Sequence, residues 1–152
     1  MAGAPIETLR RVPLFEDLTA DELEQVSLLF KERRFPAGET VVKEGADGAT
    51  FYVIEAGDAI VSVAGREVTR LSGGDFFGEI ALLDEDVRSA TITAVGDLVC
   101  FGLTLWEFKP LVLANGSIGW KLAHSLARKL RATQTGLPRS DEAEPGGDRT
   151  VA

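Results

Sequence analysis

One cysteine and one histidine stand in the 152 residues. Cys100 alone cannot close a disulfide within the chain, so a disulfide framework is excluded. With only His124 beside it, a zinc site of Cys and His ligands cannot be assembled from one chain, and no metal or other cofactor is expected. Positive charge is short as well: 16 Lys and Arg stand against 24 Asp and Glu, a net charge of −8. Nucleic-acid surfaces need clustered Lys and Arg, so a nucleic-acid partner is not expected. No run approaches the roughly eighteen consecutive apolar residues of a membrane helix, so no membrane partner is expected either. The first residues, Met-Ala-Gly-Ala-Pro-Ile-Glu-Thr, have neither a basic start nor an apolar stretch. They lack the pattern of a secretion signal, and a cytoplasmic protein is expected. The hydrophobic fraction of 45% and charged fraction of 26% suit one soluble domain with a real core.

Residues 5–34 read as helical. Thr19 precedes Glu22 by three, a capping-box spacing, and Leu23, Val26, Leu29 and Phe30 recur at helical intervals. Arg33, Arg34 and then Phe35-Pro36-Ala37-Gly38 supply a stop signal. From Glu39 to Leu103 the texture changes to short β-rich runs at 40–42, 51–54, 59–63, 67–71, 90–94 and 98–101, separated by Gly-rich turns. Ala64-Gly65-Arg66 looks like a tight hairpin link. Such runs predict an antiparallel sandwich or barrel. Thr104 can cap a helix from Leu105 that Pro110 should kink or split, and Asn115 can cap a second helix to about Thr133. The apolar stripe of that second helix is Ile118, Leu122, Ala123, Leu126, Ala127 and Leu130. Residues 134–152, rich in Gly, Pro and acids, hold almost nothing to bury and read as a disordered acidic tail after a domain at 1–133.

The break between the runs ending at Leu71 and starting near Ala90 holds Phe76-Phe77-Gly78-Glu79-Ile80-Ala81-Leu82-Leu83, an acidic tip, and Arg88-Ser89. Gly78 permits close approach of backbone to a ligand. A short helix from Ile80 would leave the N–H groups of Ile80 and Ala81 unpaired, the arrangement of an anion site. Arg88 can fold back beside that start and engage two phosphate oxygens at once. Glu79 would repel a bare phosphate; it makes sense if the anion carries a hydroxyl donor, such as a ribose 2′-OH, and it can also neutralise Arg88.

Phe-Gly-Glu-Ile-Ala-Leu-Leu, four residues, then Arg-Ser-Ala-Thr resembles the phosphate-binding cassette of cyclic nucleotide-binding domains. The resemblance spans about 14 to 131. It implies a mainly β fold, an eight-stranded antiparallel jelly roll with an N-terminal helical segment and two C-terminal helices. It further implies that Glu79 takes the ribose 2′-OH and Arg88 the cyclic phosphate. Backbone groups of Gly78, Ile80, Ala81 and Ala90 would add hydrogen bonds, and Ser89 would reach the phosphate or the base. The Asp84-Glu85-Asp86-Val87 tip departs from the Gly-x-Pro type common in relatives and is expected to face solvent.

The alternatives are a structural Arg88–Glu79 ion pair and a jelly-roll interaction scaffold that has lost or does not need nucleotide binding. Gly73, Gly74 and Gly78 have the wrong spacing for a dinucleotide loop, and no Walker lysine follows. Cys100 reads as a buried small hydrophobe, His124 as solvated, and Trp106 and Trp120 as packing residues rather than base caps. No nucleophile–base pair can be written, so an enzyme is not expected. The function expected is a cyclic-nucleotide sensor with cAMP, or else cGMP, as ligand. An unidentified protein effector would read it, because residues 132–152 are too few and too polar for a helix-turn-helix. The starting Met and the polar tail favour a stand-alone protein.

Overall fold

The structure is a computed structural model that describes residues 3–135. Its helical layer begins with α1 (Ile6–Arg10), a 3-10 turn at Pro13–Phe15 and α2 (Ala20–Ser27). The Thr19–Glu22 capping box is present in both directions. Residues 5–34 are therefore not one helical run. Pro13 cannot donate into a continuing helix and instead opens the 3-10 turn. Lys31–Phe35 is a strand, β1, and not the end of a helix. It pairs antiparallel with a later strand, where four of its five residues are exposed; a charged edge strand is well solvated there, and ladder pairing overrides helical propensity.

The remaining strands are β2 (Thr40–Val42), β3 (Asp47–Gly48), β4 (Thr50–Ala56), β5 (Ala59–Val63), β6 (Arg66–Leu71), β7 (Phe76–Phe77), β8 (Asp86–Val87), β9 (Thr91–Ala94) and β10 (Leu98–Thr104). Two four-stranded antiparallel sheets, β1-β10-β4-β7 and β2-β9-β5-β6, form the eight-stranded jelly roll, and β3 and β8 make a separate pair. The β5–β6 link is a two-residue hairpin turn with Ala64 at φ 52 and Gly65 at φ 80, a backbone that matches strand twist.

The inner strands of the first sheet, β10 and β4, are buried on both faces, which explains the continuous apolar run in β4. Phe51 and Val53 pack with the helical layer, while Tyr52 and Ile54 point into the barrel. Edge-to-face ring contacts join Phe51 to Phe15, Phe30 and Phe76 at 5.7–6.0 Å. Cys100 lies inside the barrel, fully buried as expected, and burial pushes its thiol up to about 12. It should therefore resist a thiol-specific reagent at neutral pH and react only as the protein unfolds. Native-state labelling as fast as that of a free thiol would contradict this placement.

Two helices close the described chain, α3 (Leu105–Ala114) and α4 (Gly116–Thr135). Thr104 caps α3 as expected. Pro110 neither splits nor ends it; the helix runs on past the lost N–H donor, and Trp106, four residues before it, is an exposed residue. The Asn115 side chain does not cap α4 but donates back to the Leu111 carbonyl at 2.9 Å. Trp106 and Trp120 are not packing residues, being 64% and 74% exposed. Of the stripe expected on α4, Ile118 and Leu122 are buried and Leu126 partly so, while Ala123, Ala127 and Leu130 face outward. Ser125 is buried instead, donating to the Pro13 carbonyl at 2.8 Å. The tail expected from 134 lies, from residue 136 on, outside the described residues.

Polar contacts lock α4 to the N-terminal segment. Lys121 Nζ and Ser117 Oγ donate to Glu22 at 2.8 and 2.9 Å, and Arg128 pairs with Glu16 and Asp17. His124, exposed as expected, has Nδ1 3.4 Å from an Asp17 carboxylate oxygen. The Lys121 hydrogen bond, with that from the Thr19 backbone, holds the Glu22 carboxyl at about 2, below its ordinary 4.5. A depressed carboxyl contributes stability above its unfolded value and loses it as pH falls through the folded one. Wild type should thus lose melting temperature faster than Glu22→Gln between about pH 4.5 and 2. Parallel melting curves would refute this if the two proteins declined alike.

Candidate functional site

The cassette is placed by the β7–β9 connection. Phe76 packs its ring on the helical side and Phe77 stacks on Tyr52 at 5.2 Å on the barrel side, so the chain enters the site from a strand anchored on both faces. Gly78 then takes φ 84, a left-handed conformation that turns the backbone sharply and that favours glycine. A single 3-10 turn follows, Glu79–Leu82. The Ala81 N–H is not unpaired here; it closes that turn on the Gly78 carbonyl at 3.0 Å. The reason is the tighter i to i+3 bonding of a 3-10 turn. A turn this short also carries little macrodipole, so positive charge in the site has to come from a side chain.

That side chain is Arg88. Its backbone is clamped to the loop before β4, with N–H to the Ala46 carbonyl and carbonyl from the Gly45 N–H, both at 2.8 Å. The β3–β8 pair extends the clamp through Asp47↔Val87 and Gly48↔Asp86. The guanidinium runs over Gly48, where an added Cβ would fall 2.0 Å from Nε, and Nη2 donates to the Thr50 carbonyl at 2.6 Å. Arg88 is 5% exposed, and burial pulls its pKa down, with Tyr52 opposing. Taking a cation out of water is costly, so a buried guanidinium favours a neutralising anion.

Glu79 is 1% exposed. A carboxylate and a guanidinium are thus both buried within one ten-residue connection, whereas the ion pairs on α4 and β1 are partly exposed. Buried ionisable groups in such a place mark functional sites. Ala81 and Ala90 are buried, Ile80 is 39% exposed, and Ser89 is exposed beside Arg88. The tip residues Asp84, Glu85 and Val87 are exposed, as expected of the tip.

Sequence reasoning missed the support of Arg88. Gly45-Ala46-Asp47-Gly48 reads as a turn, yet it carries the backbone clamp and the surface over which the guanidinium passes. The signal available was a pair of glycines three apart just before a strand. It also missed the open edge of the second sheet. Thr69 pairs with buried Val61, so it shares the inner face, but it is exposed, and Val68 beside it is 58% exposed.

Residues 32–115 match the profile of the cyclic nucleotide-binding domain. The chain belongs to the cyclic nucleotide-binding domain family. Over 122 residues, 80% of its length, it is 41% identical to a cGMP-dependent protein kinase of Toxoplasma gondii. Over 106 residues, 68% of its length, it is 37% identical to a cAMP-dependent protein kinase regulatory subunit of Colletotrichum orbiculare. The chain spans only 12% and 27% of those two proteins. Among solved structures, the N-terminal domain of a transcriptional regulator from Streptomyces coelicolor superposes with a TM-score of 0.79 at 26% identity, covering 88% of this chain and 99% of that one.

Proposed function

We propose that this chain is a non-enzymatic cyclic-nucleotide sensor of the cytoplasm that takes cAMP through its cassette. The observation that carries the reading is the burial of Glu79 and Arg88 together in one cassette. Arg88 would meet the exocyclic oxygens of the cyclic phosphate with its guanidinium donors, and Glu79 would accept the ribose 2′-OH. Backbone groups of Gly78, Ile80, Ala81 and Ala90 would complete the phosphate and ribose contacts, with Ser89 at the phosphate or base. Thr69, exposed on the inner face of β6, is suited to meet the base.

The same turn supplies a route outward. Leu82, 1% exposed, sits in the helical cluster with Phe15, Phe108, Ile118 and Leu122. A ligand that draws in Glu79 and Ile80 would shift Leu82 against α3 and α4. The population then moves toward whichever helix arrangement binds nucleotide better. The altered helical surface is what an effector protein would read.

The test is a thermal titration with cAMP and cGMP in parallel. Stabilisation of about 2.7 kcal/mol is expected at a hundredfold excess of nucleotide over its dissociation constant. The relatives named for each nucleotide put both in the experiment. A protein that responds to neither is a scaffold using the fold for protein contact, and the sensor reading is then wrong.

A further inference from the structure

We propose that Arg11 is a positioning residue for the cassette: it holds the Gly73-Gly74-Asp75 turn and so ties nucleotide affinity to the N-terminal helical segment. This rests on the sensor reading above. Arg11 Nη2 donates to the Gly74 carbonyl at 2.8 Å, across 63 positions of sequence. The arginine sits immediately after α1, between Leu9 and Val12, both completely buried. It ends α1, and its backbone is fixed by its N–H bond to the Thr8 carbonyl at 3.1 Å and by buried Val12 next to it. Arg10, exposed like Arg11 but on the last turn of α1, has the same chemistry and makes no such contact among the described residues.

The turn that receives it is built for close contact. Gly74 has φ 94, and an added Cβ would lie 3.1 Å from that same Arg11 nitrogen; one on Gly73 would lie 2.9 Å from the Glu55 carbonyl oxygen. Gly74 N–H donates to the Ile54 carbonyl and Ile54 N–H to the Asp75 carbonyl, each at 2.8 Å. The Asp75 carboxylate accepts from the Ser72 N–H at 2.8 Å. The turn is thus laid flat on β4 and leads directly into β7. That strand is weakly determined by its own ladder, having only the Tyr52↔Phe77 and Val53↔Phe76 pairs. Gly78 and Glu79 follow at once. Short strands with few partners open locally at low cost, so the placement of Glu79 depends on the turn before it. Arg11 fastens the entry of the cassette to the helical layer, while Leu82 seats its exit in the same layer.

The experiment compares wild type, Arg11→Ala, Arg11→Lys and Arg10→Ala in the full chain. Calorimetric titration with cAMP and with cGMP gives affinity, and hydrogen exchange follows residues 73–79 with 91–94 as internal reference. Arg11→Ala should weaken binding roughly threefold to tenfold, the size of one mutation along a coupling network. It should also speed exchange at 73–79 and leave 91–94 unchanged. Arg11→Lys should recover part of both effects, and Arg10→Ala should match wild type. Equal affinity and equal exchange for the Arg11→Ala and Arg10→Ala proteins would overturn the proposal. If wild type binds neither nucleotide, the sensor reading has failed, and the exchange data alone decide whether Arg11 holds the turn.

Discussion

Arg88→Ala is expected to abolish most of the nucleotide-dependent rise in melting temperature while leaving a folded protein. Removing one partner of a buried, hydrogen-bonded charge pair in a complex typically costs about 2–5 kcal/mol, or some thirtyfold to several thousandfold in affinity. At a concentration giving wild type about 2.7 kcal/mol, the variant should retain less than about 1 kcal/mol. The fold should survive, because β8 and the loop before β4 hold residue 88 through backbone bonds that alanine keeps. Alanine does remove the bond to the Thr50 carbonyl and a charge buried near the Glu79 carboxylate, so the nucleotide-free melting temperature should fall, and the ligand shift is read against the variant's own baseline. Arg88→Lys should rescue poorly, since an ammonium lacks the planar fork that meets two phosphate oxygens. Differential scanning fluorimetry with cAMP and cGMP reads the result. An undiminished shift in the alanine variant would mean that the phosphate is bound elsewhere.

Gly48→Ala should come close to the effect of Arg88→Ala, although no ligand contact is assigned to residue 48. The new methyl carbon would lie 2.0 Å from Arg88 Nε and 2.6 Å from both Cδ and Cζ, well inside contact distance. The guanidinium stem must leave the Gly48 surface, and the bond to Thr50 goes with it. Overpacking of this kind costs typically about 1–3 kcal/mol of stability. The binding loss should exceed the stability loss, because it removes the oriented donor rather than a share of the core. Titration beside a melting curve separates the two. Wild-type affinity in a correctly folded Gly48→Ala protein would show that the pose of Arg88 over Gly48 is dispensable. The same variant bears on the tip, since Gly48 pairs with Asp86 in the β3–β8 ladder. A distorted ladder would expose the amides at 86–88 to faster hydrogen exchange than the steric argument alone requires.

These two variants divide the site between what was readable in the residues and what was not. The chemistry of Arg88 could be argued from its type and its place after an apolar turn. Its dependence on Gly48 could not, because the two residues lie 40 positions apart and meet only where the β3–β8 pair and the Gly45 and Ala46 backbone bonds bring their segments together. The same holds for Arg11 and Arg10, which are adjacent and chemically identical; only the end of α1, with Arg10 on its last turn and Arg11 at its cap, decides which one reaches Gly74.

By itself the sequence determined the antiparallel β architecture, through β-rich runs separated by glycines, and two capped helix starts at Thr19 and Thr104. It also determined the composition of the cassette. These are local properties: propensity, capping and turn chemistry act over a few residues and are written in them. Tertiary structure decided what depends on distant partners. It made a strand of Lys31–Phe35 by pairing it along β10, and it carried α3 through Pro110. It turned Trp106 and Trp120 outward and buried Ser125 against Pro13. At the cassette it replaced the expected helix start with a closed 3-10 turn and left the anion to a buried guanidinium, because charge taken out of water has to be supported from several strands at once.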